Sequence, residues 1–199
     1  MSCIPRVAGI ILAAGSSSRM GRPKQLLPFR GHTLLECIVD TALNSSLSKV
    51  VVVLGHRADE LRPLLAGRDV TVVLNDDYQR GQSSSIQAGL RTVREDVDAA
   101  LFLLGDQPLV TPETIDSILS AYAVSQGLIV MPVFDGRRGN PVLFDRQTFD
   151  DIDSLTGDTG ARLLFQDYAN HIVEVPLHDP SVHFDVDTEQ DFKVLKKME

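Results

Sequence analysis

A glycine- and serine-rich loop carrying several basic side chains follows the first apolar run of the sequence. The segment reads Leu12-Ala13-Ala14-Gly15-Ser16-Ser17-Ser18-Arg19-Met20-Gly21-Arg22-Pro23-Lys24. Glycine and serine let backbone N–H groups approach a phosphate chain, and the cations neutralise its charge. The loop is not a Walker A sequence, because Arg22 follows Gly21, and it lacks the G-x-G-x-x-G dinucleotide pattern. The residue types therefore favour a polyphosphate site over a plain strand-to-helix connection.

Three aspartates lie where they could hold a divalent cation. Gly105-Asp106-Gln107-Pro108 ends a buried apolar run, and ligands collect at the carboxyl ends of strands in open α/β sheets. Asp185-Val186-Asp187 alternates at the end of a predicted strand, which puts both carboxylates on one face, where they could complete a site with Asp106. The competing roles are a turn before Pro108 for Asp106 and helix capping for Asp187. Spacing alone leaves these alternatives open.

Short polar side chains follow the third predicted strand. Asn75 and the segment Gly81-Gln82-Ser83-Ser84-Ser85 stand where backbone groups and hydroxyls could contact a base and ribose. A helix N-cap cluster explains the serines almost as well. The five histidines, His56 among them, show no H-x-x-x-H or H-E-x-x-H spacing, which favours solvated or core roles for them.

The charge is unevenly distributed along the chain. The 19 Lys and Arg and 27 Asp and Glu give a formal net charge of −8, yet no acid precedes Glu36. The basic N-terminal end suits a small anion, while the acidic total argues against a nucleic-acid partner. Cys3 and Cys37 form no C-x-x-C pair, and no apolar stretch approaches the roughly 18 to 20 residues of a membrane helix. We therefore expect a cytoplasmic protein without a membrane or nucleic-acid partner.

Five continuous apolar runs are typical of parallel strands covered by helices on both faces. They occupy residues 7–14, 49–54, 70–74, 99–104 and 128–133. Helical periodicity separates them, at 33–43, 57–66, 83–94 and 111–125. The last of these helices begins with Thr111-Pro112-Glu113, which is an N-cap, a proline at the first helical position and an acid in the first turn. The alternation predicts an α/β fold with a doubly wound, mostly parallel sheet.

The alternation of predicted strands and helices changes after residue 133. A turn cluster at 135–141 leads into Val142-Leu143-Phe144, which predicts a small hairpin excursion before the chain returns at 172–175. Helices are predicted near 160–168 and 188–198. No repeat or linker interrupts the chain, so residues 1–199 are predicted to form a single domain.

Six motifs along the chain form a set. The first is Leu12-Ala13-Ala14-Gly15-x3-Arg19-Met20-Gly21-x2-Lys24-x-Leu26-Leu27-Pro28. The others are Asn75-x5-Gly81-x2-Ser84-Ser85, Gly105-Asp106-Gln107-Pro108, Arg138-Gly139-Asn140-Pro141, Gly157-Asp158-x-Gly160-Ala161-Arg162 and Asp185-Val186-Asp187-Thr188-x2-Asp191. Together they resemble the MobA-like nucleotidyltransferases, and among them the molybdenum cofactor cytidylyltransferase group. The resemblance covers essentially the whole chain and implies a Rossmann-like nucleotidyltransferase fold in three α/β/α layers.

The resemblance also implies roles for individual residues. Lys24, Arg19 and Asp106 would be catalytic, and Asp106 with Asp185 or Asp187 would hold Mg²⁺. The implied nucleotide-binding residues are Leu12, Ala13, Ala14, Gly15, Ser16, Ser17, Arg19, Met20, Gly21, Lys24, Asn75, Gly81 and Ser84. Ala13-Ala14, in place of two glycines, looks like the cytidylyl variant, which makes CTP the expected nucleotide.

The implied reaction is a Mg²⁺-dependent nucleotidyl transfer. An acceptor oxygen attacks the α-phosphorus of the triphosphate in line, and pyrophosphate leaves. By resemblance the acceptor is the terminal phosphate of a molybdopterin cofactor, and a molybdoenzyme is the client. Gly139-Asn140-Pro141 stands where the family has Gly-His-Pro, in the region that would meet the acceptor. Guanylyl transfer, nucleotidyl transfer to a sugar or polyol phosphate, and a non-catalytic cofactor carrier stay open as alternatives.

Overall fold

The first apolar run forms the central strand of a sheet in the computed structural model, which describes residues 4–17, 20–125, 127–158 and 160–199. The strands are β1 (Val7–Ala13), β2 (Pro28–Phe29), β3 (His32–Thr33), β4 (Lys49–Leu54), β5 (Thr71–Leu74), β6 (Ala99–Leu104), β7 (Ile129–Phe134), β8 (Arg137–Arg138), β9 (Val142–Asp145) and β10 (Ile172–Pro176). The helices are α1 (Leu34–Leu43), α2 (Ala58–Leu61), α3 (Gln82–Arg91), α4 (Pro112–Val124), α5 (Phe149–Asp153), α6 (Leu164–Asp167) and α7 (Glu189–Lys196).

The main sheet has the strand order β10-β7-β9-β6-β1-β4-β5, with β8 paired to β7, while β2 and β3 form a separate ribbon. The pairs around β1 are parallel, as are β4 with β5 and β7 with β10. The predicted doubly wound, mostly parallel sheet is therefore confirmed. Because β1, β4, β5 and β6 are parallel, their carboxyl ends lie at one edge of the sheet. The chain order reverses on either side of β1, and α/β folds bind ligands at such a point.

The predicted excursion contains a hairpin of β7 and β8, closed by Asp135 and Gly136 with φ angles of 50° and 71°. The following strand was not predicted to join the main sheet. β9 lies between β6 and β7 and runs antiparallel to both. Its apolar run Val142–Phe144 is buried on both faces, so insertion into the sheet buries side chains that a surface hairpin would leave half exposed.

Helices cover both faces of the sheet. One core cluster joins Ile11 and Val52 to α1 and α4 through Ile38 and Ile118. The cluster on the opposite face joins other strand residues to α3, α5 and α6, with Leu90, Ile152 and Leu164 among its members. Gly89 permits the close contact of α3, because a Cβ there would lie 2.4 Å from Ile10 Cγ2. The three α/β/α layers are confirmed.

Several predicted elements are shorter than expected. The helix predicted at 57–66 is α2 followed by the 3₁₀ turn Arg62–Leu65, because Pro63 has no N–H to continue an α-helix. The helix predicted at 160–168 is the 3₁₀ turn Gly160–Leu163 followed by α6. The strand predicted before Asp185 is wrong: the 3₁₀ turn Pro180–His183 precedes it, and residues 184–187 belong to no strand. Helix α5 was not predicted.

A small third core fixes the loop after β1 against the C-terminal helix. It contains Met20, Leu27, Phe29, Leu34, Val186 and Leu195. Arg22 adds a two-point contact to Glu189, at 2.8 and 2.9 Å. The two ends of the chain are thereby held together beside β6. Across the described ranges, no helix has the length and apolar character needed to cross a membrane.

Candidate active site

The loop after β1 is folded back on itself by a buried glutamine. Gln25 is 3% exposed, and its Nε2 donates to Gly15 O at 3.4 Å while its Oε1 accepts from Ser17 Oγ at 3.3 Å. Ser17 Oγ also accepts from the backbone N–H of Lys24 at 3.2 Å. These bonds bring Lys24 back beside the start of the loop, so both ends of the loop face one cavity. Ser18 and Arg19, the latter a predicted catalytic residue, lie outside the described residues.

Lys24 joins two carboxylates that are far apart in the sequence. Its Nζ donates to Asp106 Oδ2, and to Asp187 Oδ1 at 2.8 Å. Asp106 follows β6, and the N–H of Val186 donates to Asp106 O at 3.0 Å, which holds the segment before α7 against the end of that strand. The Lys24 and Asp106 side chains are only 14% and 16% exposed. We call Lys24, Asp106 and Asp187 the charged cluster.

Helix capping does not use the Asp187 carboxylate as its N-cap group. Thr188 is the N-cap of α7, with its side chain accepting from the N–H of Asp191. The Asp191 carboxylate accepts from Thr188 in return, which forms a capping box. With capping supplied by these neighbours, Asp187 directs a carboxylate oxygen to Lys24 instead.

The charged cluster keeps its lysine protonated. Burial alone lowers the pKa of Lys24, because the ammonium loses solvation. The Asp106 carboxylate and then that of Asp187 outweigh this effect and hold the pKa of Lys24 above its ordinary value of 10.5. The group is therefore a fixed cation at neutral pH, suited to stabilising negative charge on a substrate.

Asp185 turns away from the charged cluster. Its Oδ1 accepts from Gln107 Nε2, and Gln107 is 1% exposed. The sequence-based expectation that both carboxylates of the Asp-x-Asp pair share one face is wrong, because the segment is not a strand and the two side chains have different partners. Burial, followed by repulsion from Asp106, raises the pKa of Asp185 above its ordinary value of 3.8.

Replacing Asp185 by asparagine should stabilise the free protein at neutral pH. A raised folded-state pKa means that the folded state binds the proton more tightly than the unfolded chain, so wild-type stability falls as pH rises from 3.8 through the raised value. Asparagine does not titrate and loses nothing over that range, while its amide oxygen can still accept from Gln107. We expect the melting temperature of Asp185→Asn to exceed that of wild type by about 2–4 °C at pH 7, and by less near pH 4.

Asp179→Asn is the matched control with the opposite sign. Burial raises the pKa of Asp179, but hydrogen bonds from Ser181 and Thr114 outweigh burial and lower it. Asparagine in its place should lower the melting temperature at pH 7. Equal shifts of both variants, measured by thermal unfolding in EDTA, would contradict the assignment of Asp185 as a destabilised carboxylate.

Asn75 and its serines connect β5 to α3. Asn75 is 6% exposed, and its Nδ2 donates to Ser84 Oγ at 2.9 Å and to Ser85 Oγ at 3.0 Å. Its Oδ1 accepts from the N–H of Asp77 at 3.0 Å. Ser84 Oγ donates to Asp77 O and to Gly81 O, whereas Ser85 lines the cavity. In this arrangement Asn75 braces the loop that carries Ser85.

A distant segment covers the N-terminus of α3. The N–H of Gln82 donates to Asp158 Oδ1 at 3.1 Å, and Ser83 donates to Gly157 O from both its N–H and its hydroxyl, at 3.2 and 2.7 Å. Gly81 has a φ of 103°, and a Cβ there would lie 2.5 Å from the Gly157 carbonyl carbon and oxygen. Only glycine allows this approach of backbone to backbone. We call residues 157–158 the strap.

These elements enclose a cavity of about 1010 Å³ at the carboxyl ends of β1, β4, β5 and β6. Its lining includes these predicted residues: Leu12, Ala14, Gly15, Ser16, Ser17, Lys24, Gly81, Asp106 and Asp187. The described lining does not include Ala13, Met20, Gly21, Asn75, Ser84 or Asp185. Ala13 and Met20 are core residues, and Asn75 and Ser84 support the loop behind Ser85.

Sequence reasoning missed some residues that line this cavity, among them His56 and Tyr78. His56 comes two residues after the end of β4, and its N–H donates to Ala14 O at 3.1 Å. The Tyr78 hydroxyl lies 3.5 Å from His56 Nδ1, and Gln82 and Asp158 complete the wall beside α3. The rule that strand carboxyl ends converge on the ligand would have pointed to His56, because it comes two residues after a predicted strand.

A second cavity of about 440 Å³ adjoins the first and shares Leu12, Gln82 and Leu104 with it. Three phenylalanines and three arginines are among its lining residues, Phe102, Phe144, Phe165, Arg137, Arg138 and Arg162. Asn140, from the Gly-Asn-Pro motif that stands in place of Gly-His-Pro, also lines this cavity, as does Asp185. Aromatic walls with cationic groups suit a flat, anionic molecule.

The charged cluster has the donor chemistry for a divalent cation. Among the described residues, no group of three or more His, Cys, Asp or Glu side chains is arranged to hold a metal. Mg²⁺ in phosphate-transfer sites, however, is bound by one or two carboxylates, with phosphates and water as the remaining ligands. Asp106 and Asp187 meet at one point, and Asp106 Oδ1 is buried with no hydrogen-bond partner in the described part of the chain. The residues present therefore fit such an ion.

Comparison with known proteins gives a consistent result. The MobA-like NTP transferase domain model matches residues 9–173. Nicotine blue oxidoreductase of Paenarthrobacter nicotinovorans is 32% identical, with 96% of this chain and 98% of that protein covered. Molybdenum cofactor cytidylyltransferase of Escherichia coli K12 is 29% identical, with 94% of each chain covered.

Solved structures show the same fold. Rv0371c from Mycobacterium tuberculosis H37Rv superimposes with a TM-score of 0.88 at 31% identity, covering 98% of this chain and 99% of that one. A structure of Rv0371c in complex with manganese gives a TM-score of 0.83 at 30% identity, covering 98% of this chain and all of that one. The similarity extends over the elements that carry both cavities.

Proposed function

Because this chain belongs to the MobA-like NTP transferase family, and is a nucleotidyltransferase, we propose that it transfers a cytidylyl group from CTP to a molybdopterin cofactor with Mg²⁺. The observation that carries the proposal is the charged cluster, which faces a cavity of nucleotide size beside a second, aromatic and cationic cavity. We propose the cytoplasm as the location of this reaction, because it would use a cellular triphosphate and Mg²⁺.

The proposed reaction forms one P–O bond and breaks one. An oxygen of the acceptor phosphate attacks the α-phosphorus of CTP, and the bond to the leaving pyrophosphate breaks in line. Lys24 would stabilise negative charge on the triphosphate, and the backbone N–H groups of residues 15–21, with Arg19, would hold its oxygens. Asp106 and Asp187 would hold Mg²⁺, which neutralises phosphate charge when bound. Asp185 contacts Gln107 instead and is the weaker ligand candidate.

The cytidylyl assignment rests on the Ala13-Ala14 pair and on similarity to a relative named as a cytidylyltransferase. Ser85, Gln82 and the nearby Gly81 backbone supply short polar contacts for a base, and His56 and Tyr78 offer a ring surface. The remaining proposed contacts are Leu12, Ala14, Gly15, Ser16 and Ser17.

The acceptor assignment rests on the second cavity. Phe102, Phe144 and Phe165 suit the fused rings of a pterin, and Arg137 and Arg162 at the rim suit a phosphate. Because both cavities share Leu12, Gln82 and Leu104, the two substrates would meet at that boundary. A molybdoenzyme that accepts the dinucleotide product is the proposed client partner.

The test is pyrophosphate release with each of CTP, GTP, ATP and UTP, with and without molybdenum cofactor. We expect release with CTP only when cofactor and Mg²⁺ are both present. Preference for GTP would indicate guanylyl transfer, and release with sugar or polyol phosphates would indicate another acceptor class. Binding and delivery of cofactor without pyrophosphate release would support a carrier, and each of these results contradicts the proposal.

Similarity to a protein named as an oxidoreductase adds a redox control. Nicotine blue is incubated with the protein and a reduced nicotinamide dinucleotide, and its absorbance is followed. We expect no protein-dependent loss of colour, since the charged cluster suits phosphate chemistry and the sequence lacks the G-x-G-x-x-G pattern. Protein-dependent reduction of the dye, without nucleotidyl transfer, would overturn the proposed function.

A further inference from the structure

The Lys24 ammonium lies between the two carboxylates that the proposed function assigns to a divalent cation. We propose that Lys24 is an internal counter-ion that weakens binding of the divalent cation to the free protein, and that its ammonium moves away from the carboxylates when triphosphate binds. Nucleotide and metal would then bind with positive cooperativity. This inference rests on the proposed function for the identity of the metal ligands.

The Lys24 ammonium occupies the position between the two carboxylates. Nζ donates to one oxygen of Asp106 and, at 2.8 Å, to one of Asp187, so the ammonium stands where an ion bridging both carboxylates would be placed. The Lys24, Asp106 and Asp187 side chains are only 14%, 16% and 29% exposed. An ion that bridges the two carboxylates would therefore take the position that the ammonium now occupies.

The charges of the cluster also favour competition between the ammonium and a divalent ion. Two carboxylates carry two negative charges, and the ammonium neutralises one of them. A divalent ion added beside the ammonium would be repelled at short range, and this repulsion is strong where solvent screens weakly. Among the described residues, no third His, Cys, Asp or Glu completes a cluster that could hold both cations. Competition between them follows from this charge count.

The Lys24 ammonium can move from the carboxylates to a bound triphosphate. Lys24 lies at the start of the 3₁₀ turn Lys24–Leu26, with its backbone N–H bonded to Ser17 Oγ. Its four-carbon stem is flexible, so the ammonium can change partner while the backbone stays in place. Gly15, Ser16 and Ser17 line the same cavity, and a triphosphate bound along them would offer anionic oxygens to Nζ. Release of Lys24 would then remove the ammonium from the position that the divalent ion would take between the two carboxylates.

Thermodynamic linkage turns this exchange into a measurable coupling. If triphosphate binding removes a competitor for the carboxylates, it must raise metal affinity, and metal must raise triphosphate affinity by the same factor. Removing the ammonium by mutation should therefore strengthen metal binding to the free protein. This outcome is the reverse of what loss of a residue that merely supports the fold would produce.

The experiment is a Mn²⁺ titration of the full-length protein, with free Mn²⁺ followed by electron paramagnetic resonance. The variant is Lys24→Met, which keeps the stem length and removes the charge. Without nucleotide we expect Lys24→Met to bind Mn²⁺ about tenfold or more tightly than wild type. With α,β-methylene-CTP we expect wild-type affinity for Mn²⁺ to rise by a similar factor, and that of Lys24→Met to rise clearly less.

Two further variants separate the possible explanations. Arg80 lines the same cavity but its guanidinium pairs with Asp77, so Arg80→Met tests for a general effect of removing positive charge. Asp106→Asn tests the metal site itself and should weaken Mn²⁺ binding both alone and combined with Lys24→Met. Should Lys24→Met fold poorly, Lys24→Gln is titrated in its place. The rise in melting temperature with Mn²⁺, which should be larger than for wild type, gives a second measurement.

The outcomes distinguish this inference from the proposed function. Unchanged or weaker Mn²⁺ binding by Lys24→Met, with Asp106→Asn still weakening it, overturns the counter-ion role and leaves the metal site standing. A gain in Arg80→Met equal to that in Lys24→Met also overturns it. If Asp106→Asn leaves Mn²⁺ binding unaltered in both backgrounds, the proposed metal ligands are wrong, and the inference fails with them.

Discussion

Replacing Lys24 by methionine should lower kcat for pyrophosphate release by about 10²–10³-fold, the range seen when one preorganised charge-stabilising donor is removed. Lys24 is the one residue of the charged cluster that contacts both carboxylates, and their negative charge outweighs the effect of burial and keeps its ammonium protonated. Methionine retains the stem but offers no positive charge to the triphosphate. Steady-state assays with CTP and acceptor, at saturating Mg²⁺, measure the loss.

The same variant should show opposite effects in binding and in turnover. We expect Mn²⁺ affinity without nucleotide to rise while kcat falls, which a simple unfolding defect would not produce. Arg91→Met is the control for turnover, since its side chain is exposed, its Nε lies 3.9 Å from Asp153 Oδ1, and it is not among the described residues that line either cavity. Turnover in Lys24→Met within a factor of a few of wild type would remove Lys24 from the catalytic machinery.

Replacing Gly81 by alanine should lower the free energy of unfolding by about 2–4 kcal/mol, from backbone strain and steric overlap together. Gly81 has a φ of 103°, which L-residues rarely adopt, and its Cβ would lie 2.5 Å from backbone atoms of the strap and 2.8 Å from Asp158 N. Backbone cannot move aside as a flexible side chain can. The strap would separate from α3, so the Michaelis constant for the nucleotide should also rise.

Gly67→Ala is the matched control for Gly81→Ala. Gly67 has a φ of 79°, but no atom of the described residues lies within 4 Å of its added Cβ. Its alanine variant should therefore lose only the strain contribution, about 1 kcal/mol, with an unchanged Michaelis constant. Urea unfolding of both variants measures the difference. Equal losses of stability would show that steric contact with the strap is unimportant.

The boundary between the two cavities is the place where the proposed reaction would be most sensitive to geometry. Leu12 and Leu104 come from neighbouring strands of the rigid central sheet, whereas Gln82 belongs to the helix that the strap covers. Two sides of this boundary are thus held by the sheet, and one depends on a long-range contact. Small displacements of the strap would change how the substrates are aligned.

Local patterns in the sequence were sufficient to predict the parallel strands of the sheet and several residues that line the candidate cavity. Continuous apolar runs indicated parallel strands, and polar residues after them indicated the ligand-binding edge. Asp106 and Lys24 were found in this way, because each lies in a short motif near a strand. Helix α4 was placed within one residue at each end, since Thr111 and Pro112 give a local start signal.

Contacts between distant segments could not be predicted from such patterns. β9 was expected in a hairpin, but it pairs with β6 on one side and with β7 on the other. Neither of these strands is adjacent to β9 in the sequence. His56 carries no motif, and the motif that contains Asp158 does not indicate which segment it contacts. Both residues reach the cavity only because β4 and the strap are brought to its edge. Pairing of this kind depends on packing of the whole sheet, which no local signal encodes.

The aspartate pair near the C-terminus shows most clearly what could not be predicted from the sequence alone. Sequence by itself determined that two carboxylates precede a capped helix, because side-chain types and capping signals act within a few residues. Only the tertiary structure decided that Asp187 meets Lys24, which is 163 positions away, while Asp185 meets Gln107. The reason is physical: the direction of each side chain is set by what β6 and the loop after β1 place opposite it, and those surfaces exist only in the folded chain.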